Sequence, residues 1–142
     1  MEYFKIEYED KESIVGTNWN QITLGNAYPK NSLNSIYELT SKNYGSFDLH
    51  STGIILAKGS IPTDFMHQVF CTNGIIVSQN VKDILQDYPL PSHRFFPLSL
   101  NYKKKPFKAY LLYISMDILD YVLWSESEFL VRNGLMEERI HK

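Results

Sequence analysis

The chain opens with alternation. Phe4, Ile6 and Tyr8 stand between Lys5, Glu7 and Glu9, a period of two that predicts a strand with one row of side chains turned inward. From Gly16 to Ser35 the pattern gives way to Asn, Thr, Ser and Gly, with Pro29 after Tyr28, and this chemistry favours turns over a continuous element. A short strand is expected at 35–40 and a turn region over 41–53, followed by the apolar run Ile54-Ile55-Leu56-Ala57, closed by Gly59. Pro62 suits a first helical turn, and Phe65, Met66 and Val69 can share one helical face before Asn73-Gly74 supplies a left-handed stop, so a helix is predicted over 62–71. After an Ile75-Ile76-Val77 strand, Ser78 can cap a helix over 79–88. There Val81, Ile84, Leu85 and Tyr88 repeat at the spacing of a buried face until Pro89 ends it.

Arg94 to Leu100 reads as a strand whose Pro97, lacking an N–H, belongs at a sheet edge or bulge. Lys103-Lys104-Lys105-Pro106 has the composition of a solvated turn. Lys108 to Met116 is a long strand with Tyr110, Leu112, Ile114 and Met116 on one side. Leu119–Trp124 and Glu128–Val131 are two further short strands, and the tail after Gly134 has no clear pattern. Strands outnumber helices, and both helices fall mid-chain. The expected class is therefore α+β: one domain over 1–142, with a mixed or mostly antiparallel sheet and two helices, near 62–71 and 79–88.

Composition supports a single core. A chain of 142 residues with eight Phe, ten Tyr and two Trp can bury one without staples. Cys71 is the only cysteine, so no disulfide framework or four-cysteine zinc site can be built within the chain, and a reducing compartment is favoured. The N-terminus lacks the basic segment and apolar run of a secretory signal. The most apolar stretch, Ala109 to Trp124, is interrupted by Asp117 and Asp120 and falls short of the roughly 20 residues that span a bilayer. The expected setting is the cytoplasm, with no membrane partner. Net charge is −2 but unevenly spread: residues 1–50 carry seven acids and four bases, 51–110 three and seven, 111–142 six and three.

Candidate chemistry is sparse. On a helix, His67 and Cys71 would share a face and offer a thiol with a base, or two metal ligands. A free cysteine is more commonly a buried small apolar residue, and no third ligand is indicated, so neither a cofactor nor a metal is expected. His50, His93 and His141 are dispersed, and the zinc, nucleophile-elbow, phosphate-loop and dinucleotide motifs are absent. No catalytic residue is assigned. Asp64 reads as a charge that stabilises the first turn of the helix at 62–71. Lys103, Lys104, Lys105 and Lys108, flanked by Tyr102 and Phe107, combine phosphate-binding charge with stacking surfaces, which makes a small nucleic-acid adaptor the alternative reading. The acidic overall balance argues against it, and no nucleic-acid partner is expected. The surface that best suits a protein partner is Asp117, Asp120, Tyr121, Trp124, Glu126 and Glu128: aromatic anchors inside an acidic rim, against the equally weighted alternative that Tyr121 and Trp124 face the core.

The region from Lys58 to Val131 also resembles a bacterial family of immunity proteins from polymorphic toxin systems, of the myxobacterial type. The matching residues begin with Asp64-Phe65, Gly74-Ile75-Ile76-Val77-Ser78 and Asn80-Val81-Lys82-Asp83-Ile84-Leu85. They continue with His93-Arg94-Phe95-Phe96-Pro97-Leu98, Tyr110-Leu111-Leu112-Tyr113-Ile114, Leu119-Asp120 and Ser127 with Phe129, about half of the chain. The resemblance implies a protein that binds a cognate toxin and blocks its active site or its partners, without chemistry of its own. An acidic face would both steer encounter with a basic toxin cleft and fill it.

Overall fold

The computed structural model describes residues 9–115, 129–133 and 136–140. Its elements run α1 (Glu12–Val15), β1 (Ile22–Leu24), a 3-10 turn (Ile36–Glu38), β2 (Ile54–Leu56), β3 (Phe65–Met66), β4 (Gly74–Ser78), α2 (Gln79–Leu85), β5 (His93–Tyr102), β6 (Lys105–Ile114), β7 (Phe129–Asn133) and β8 (Met136–Ile140). The fold is α+β. Every strand pairing among the described residues is antiparallel, in a four-stranded sheet of order β3-β4-β6-β5 and two-stranded ribbons β1-β2 and β7-β8.

Alternation in the long strands separates two cores. Phe96, Leu98 and Leu100 of β5, Ala109, Leu111 and Tyr113 of β6, and Ile76 of β4 face one side of the sheet. There they meet Ile22 and Ile54 of the β1-β2 ribbon together with Tyr28, Ile36, Leu39 and Phe47 from the turn-rich segments. The opposite face carries Val77, Leu112, Phe95 and Tyr110, on which Val81 and Leu85 of α2 pack as a second, smaller cluster. Tyr110, Leu112 and Ile114 thus share a side as expected, but it is the α2 side and not the main core. β5 is an edge strand, and exposed Pro97 lies within it, where a residue without an N–H is tolerated and blunts further pairing.

The helix predicted over 62–71 does not form. Phe65 and Met66 pair with Val77 and Ile76 as β3, and Val69 is 68% exposed instead of lying on a buried face. Backbone groups that a helix would satisfy internally find partners far along the chain. Ile61 N–H donates to Val15 O, His67 O accepts from Ile22 N–H, His67 N–H donates to Gln21 Oε1, and Asp64 O accepts from Ser78 N–H. Phe70 and Cys71 N–H both donate to Gln68 Oε1, while Gln68 Nε2 donates to the carbonyls of Cys71 and Gly74. With Thr63, Phe65, Val69 and Phe70 supplying little helix propensity, these bonds decide the conformation. Gly74 is likewise not a left-handed stop. It opens β4, where a Cβ would press on Leu111 at 2.6 Å and Cys71 Sγ at 2.7 Å.

Three smaller differences share this origin. The strand expected at 35–40 is the 3-10 turn, started by the buried hydroxyl of Ser35, which accepts from Tyr37 N–H, and by Tyr28 Oη, which accepts from Ile36 N–H. Strand β1 and helix α1 lie in segments whose polar neighbours mask them. Gly16 ends α1 at φ 87°, and a side chain there would run into the carbonyl oxygen of Gly59. The second helix starts where expected, with Ser78 Oγ accepting from Val81 N–H, but it closes at Leu85 and leaves Ile84 and Tyr88 exposed. The strands expected around Phe4–Tyr8 and Leu119–Trp124 lie outside the described residues.

Candidate functional site

The best-defined surface feature is the tip of the β5-β6 hairpin. Cross-strand pairing runs unbroken from His93↔Ile114 to Tyr102↔Lys105, so the connection is the two-residue loop Lys103-Lys104. A two-residue hairpin loop matches the twist of its strands when both residues take positive φ, and Lys103 and Lys104 do so, at 49° and 64°. Asn-Gly is the usual solution, because a side chain in this region costs about 1–2 kcal/mol per residue. The buried rows Leu98-Leu100 and Ala109-Leu111 hold the register that imposes the turn on two lysines.

Charge accumulates on this tip. Lys103, Lys104, Lys105 and Lys108 are all exposed, no acidic residue occurs between Tyr88 and Met116, and none of the four ammonium groups forms an ion pair with a described residue. The Lys103 ammonium sits 5.1 Å from the centre of the Tyr102 ring, while half-buried Phe107 packs against the main core. Tyr102, Lys103, Lys105, Pro106 and Phe107 line an open concavity of about 330 Å³ beneath the charges. The tip is therefore an apolar shelf with a cationic rim.

His67 and Cys71 are not presented together on a helix. The His67 ring stacks on Trp19, with centroids 4.3 Å apart and planes tilted by 40°, and burial holds its pKa below the ordinary value. Cys71 is buried against Gly74, and its thiol is pushed up to about 11, chiefly by burial and against a smaller opposing effect of a hydrogen bond with the backbone of Asn73. A thiol so placed stays protonated and is a poor nucleophile at neutral pH. His50 lies edge-on to Tyr28 and His93 edge-on to Phe95, so each histidine engages a different aromatic ring. His141 lies outside the described residues. Among the described residues no three His, Cys, Asp or Glu side chains converge in a group that could hold a metal ion, and no helix is long and apolar enough to cross a membrane.

Asp64 has a different role from the one expected. Its carboxylate accepts from Ser78 Oγ at 2.6 Å, and that hydroxyl in turn accepts from Val81 N–H at the start of α2. It orients the cap of the second helix. Asp117, Asp120, Tyr121, Trp124, Glu126 and Glu128, the expected partner-binding residues, lie outside the described residues. Sequence reading passed over Trp19, 60% exposed and seated on His67; the only available signal was a large aromatic standing alone in an Asn-rich segment. In comparisons with known proteins, no family model, no curated protein and no solved structure matches the chain.

Proposed function

We propose that this chain is an immunity protein that neutralises a cognate bacterial toxin by binding it and occluding its active surface. The observation that carries the reading is the placement of the residues by which the chain resembles that family. Phe65, with Asp64 just before it, Gly74–Ser78, Asn80–Leu85, His93–Leu98 and Tyr110–Ile114 fall on β3, β4, α2, β5 and β6, which make one continuous sheet with its covering helix. The Asp64–Ser78–Val81 chain of hydrogen bonds ties the first of these motifs to the third. Occlusion needs a rigid scaffold and a complementary surface, and it needs no reactive group. The one thiol, Cys71, is held protonated inside the fold. A single unpaired cysteine also suits the reducing cytoplasm, where such a toxin would be met.

The acidic and aromatic segment from Asp117 to Glu128 is our proposed contact with the toxin, its carboxylates facing a basic cleft and Tyr121 and Trp124 serving as anchors. Co-expression with the product of an adjacent toxin gene tests the reading. Growth should be rescued and the two proteins should co-purify, and the combined change Asp117→Asn, Asp120→Asn, Glu126→Gln and Glu128→Gln should weaken both. Absence of both rescue and co-purification with the unaltered chain would overturn it.

A further inference from the structure

We propose that the tip of the β5-β6 hairpin is a docking finger for an acidic segment of a partner protein, one that presents several carboxylates around an aliphatic side chain. The proposal rests on the reading that this chain works by binding a protein, and it names a second surface, opposite in charge to the segment 117–128.

Three observations converge on it. The first is conformational. Lys103 and Lys104 occupy the two positions of the hairpin where lysine is disfavoured and where Asn-Gly would close the turn without strain. The turn alone gives no reason for lysine there. The second is electrostatic. Four exposed ammonium groups lie within six residues, in a stretch of chain without acids, and none forms an ion pair with a described residue. Such a cluster repels itself and is relieved by an anionic partner. The third is shape, because an open concavity at the tip is lined by Tyr102, Pro106 and Phe107 together with Lys103 and Lys105. Its volume leaves ample room for an aliphatic side chain.

The same geometry separates an acidic protein segment from a nucleic acid. Binding of single strands needs aromatic faces open for bases to stack on. Here the Lys103 ammonium lies 5.1 Å from the centre of the Tyr102 ring, and Phe107 is half-buried against the main core, so each ring keeps only part of its surface for a base. What remains open is charge around an apolar hollow.

Fluorescence anisotropy of the full chain with three labelled probes of equal charge decides the matter: a peptide of alternating Asp and Leu, a peptide of alternating Asp and Ser, and an oligothymidylate. The Asp-Leu peptide should bind at low salt, weaken as salt is added, and bind about fivefold or more tighter than the Asp-Ser peptide. The variant Lys103→Asn, Lys104→Gly, Lys105→Gln, Lys108→Gln should bind it at least about tenfold more weakly, since each exposed pair contributes modestly and four are removed. That variant has the more favourable turn, so a urea melt at least as stable as the parent's excludes loss of fold as the cause. The proposal is overturned if the Asp-Leu peptide fails to bind, if the variant binds it equally well, if the Asp-Ser peptide binds as tightly, or if the oligothymidylate binds more tightly. No toxin enters this assay, so its failure leaves the rescue experiment to judge the immunity reading, and failure of rescue leaves the peptide result standing.

Discussion

Gln68 shows how much one side chain can decide. Its Oε1 accepts from two backbone N–H groups and its Nε2 donates to two backbone carbonyls, all at 2.7–2.8 Å, so an irregular stretch is satisfied where a helix was expected. Removing the amide would strand buried backbone groups, each costing about 1–3 kcal/mol when left unpaired. Gln68→Ala should therefore lower the unfolding free energy by about 3 kcal/mol in urea denaturation. Gln68→Glu, nearly identical in volume, should be destabilising as well, because a carboxylate cannot donate to the carbonyls of Cys71 and Gly74. A melt in which Gln68→Glu matches the parent would show that packing, not hydrogen bonding, holds the segment. Nothing in the sequence distinguishes Gln68 from a solvated glutamine, since its role depends on carbonyls that only the folded loop brings within reach.

At the scale of the element, α2 and the hairpin were both legible, for local reasons. Ser78 precedes a helical pattern and caps it, so Ser78→Ala should cost about 1 kcal/mol and loosen amide protection at the start of α2 in hydrogen exchange. Asp64→Ala should reproduce part of that loss, because the carboxylate orients the capping hydroxyl from outside the helix. The hairpin makes the opposite prediction: Lys103→Asn with Lys104→Gly should raise stability by about 1–2 kcal/mol by relieving the left-handed strain, read as a higher urea midpoint with an unchanged slope. The sequence predicts a helix over 62–71 because Pro62, the spacing of Phe65 and Val69, and Asn73-Gly74 each carry a local helix signal. The competing partners, Gln21, Ile22, Val15 and Ser78, stand far off in the chain.

For the molecule as a whole, the buried thiol links stability to pH. Cys71 is raised from its ordinary 9.0 to about 11 in the fold, so below pH 9 it is protonated in both folded and unfolded chains and costs nothing. Between pH 9 and 11 the unfolded chain gives up the proton while the native chain keeps it. The unfolded state then binds fewer protons, and stability falls as pH rises. The loss should reach about 2 kcal/mol by pH 11 and level off about one unit above it, superimposed on the titration of lysines and tyrosines. Cys71→Ala should remove this component alone. Unfolding curves of the two proteins should therefore converge between pH 9 and 11, and a constant difference across that window would contradict the burial assigned to the thiol.

The α+β class, the strands β2, β4, β5 and β6, the cap at Ser78, the edge position of Pro97 and the lysine turn were all determined by sequence, because each follows from the period of apolar residues or from the chemistry of one or two adjacent positions. Tertiary structure alone decided which side of the sheet holds the main core, that 61–73 is the short strand β3 with irregular flanks splinted by two glutamines, that His67 seats Trp19, and that Asp64 serves the cap of α2 fourteen residues away. Those outcomes depend on groups distant in the chain satisfying one another's hydrogen bonds and filling one another's space. Such pairings carry no periodicity, and they exist only once the chain has closed on itself.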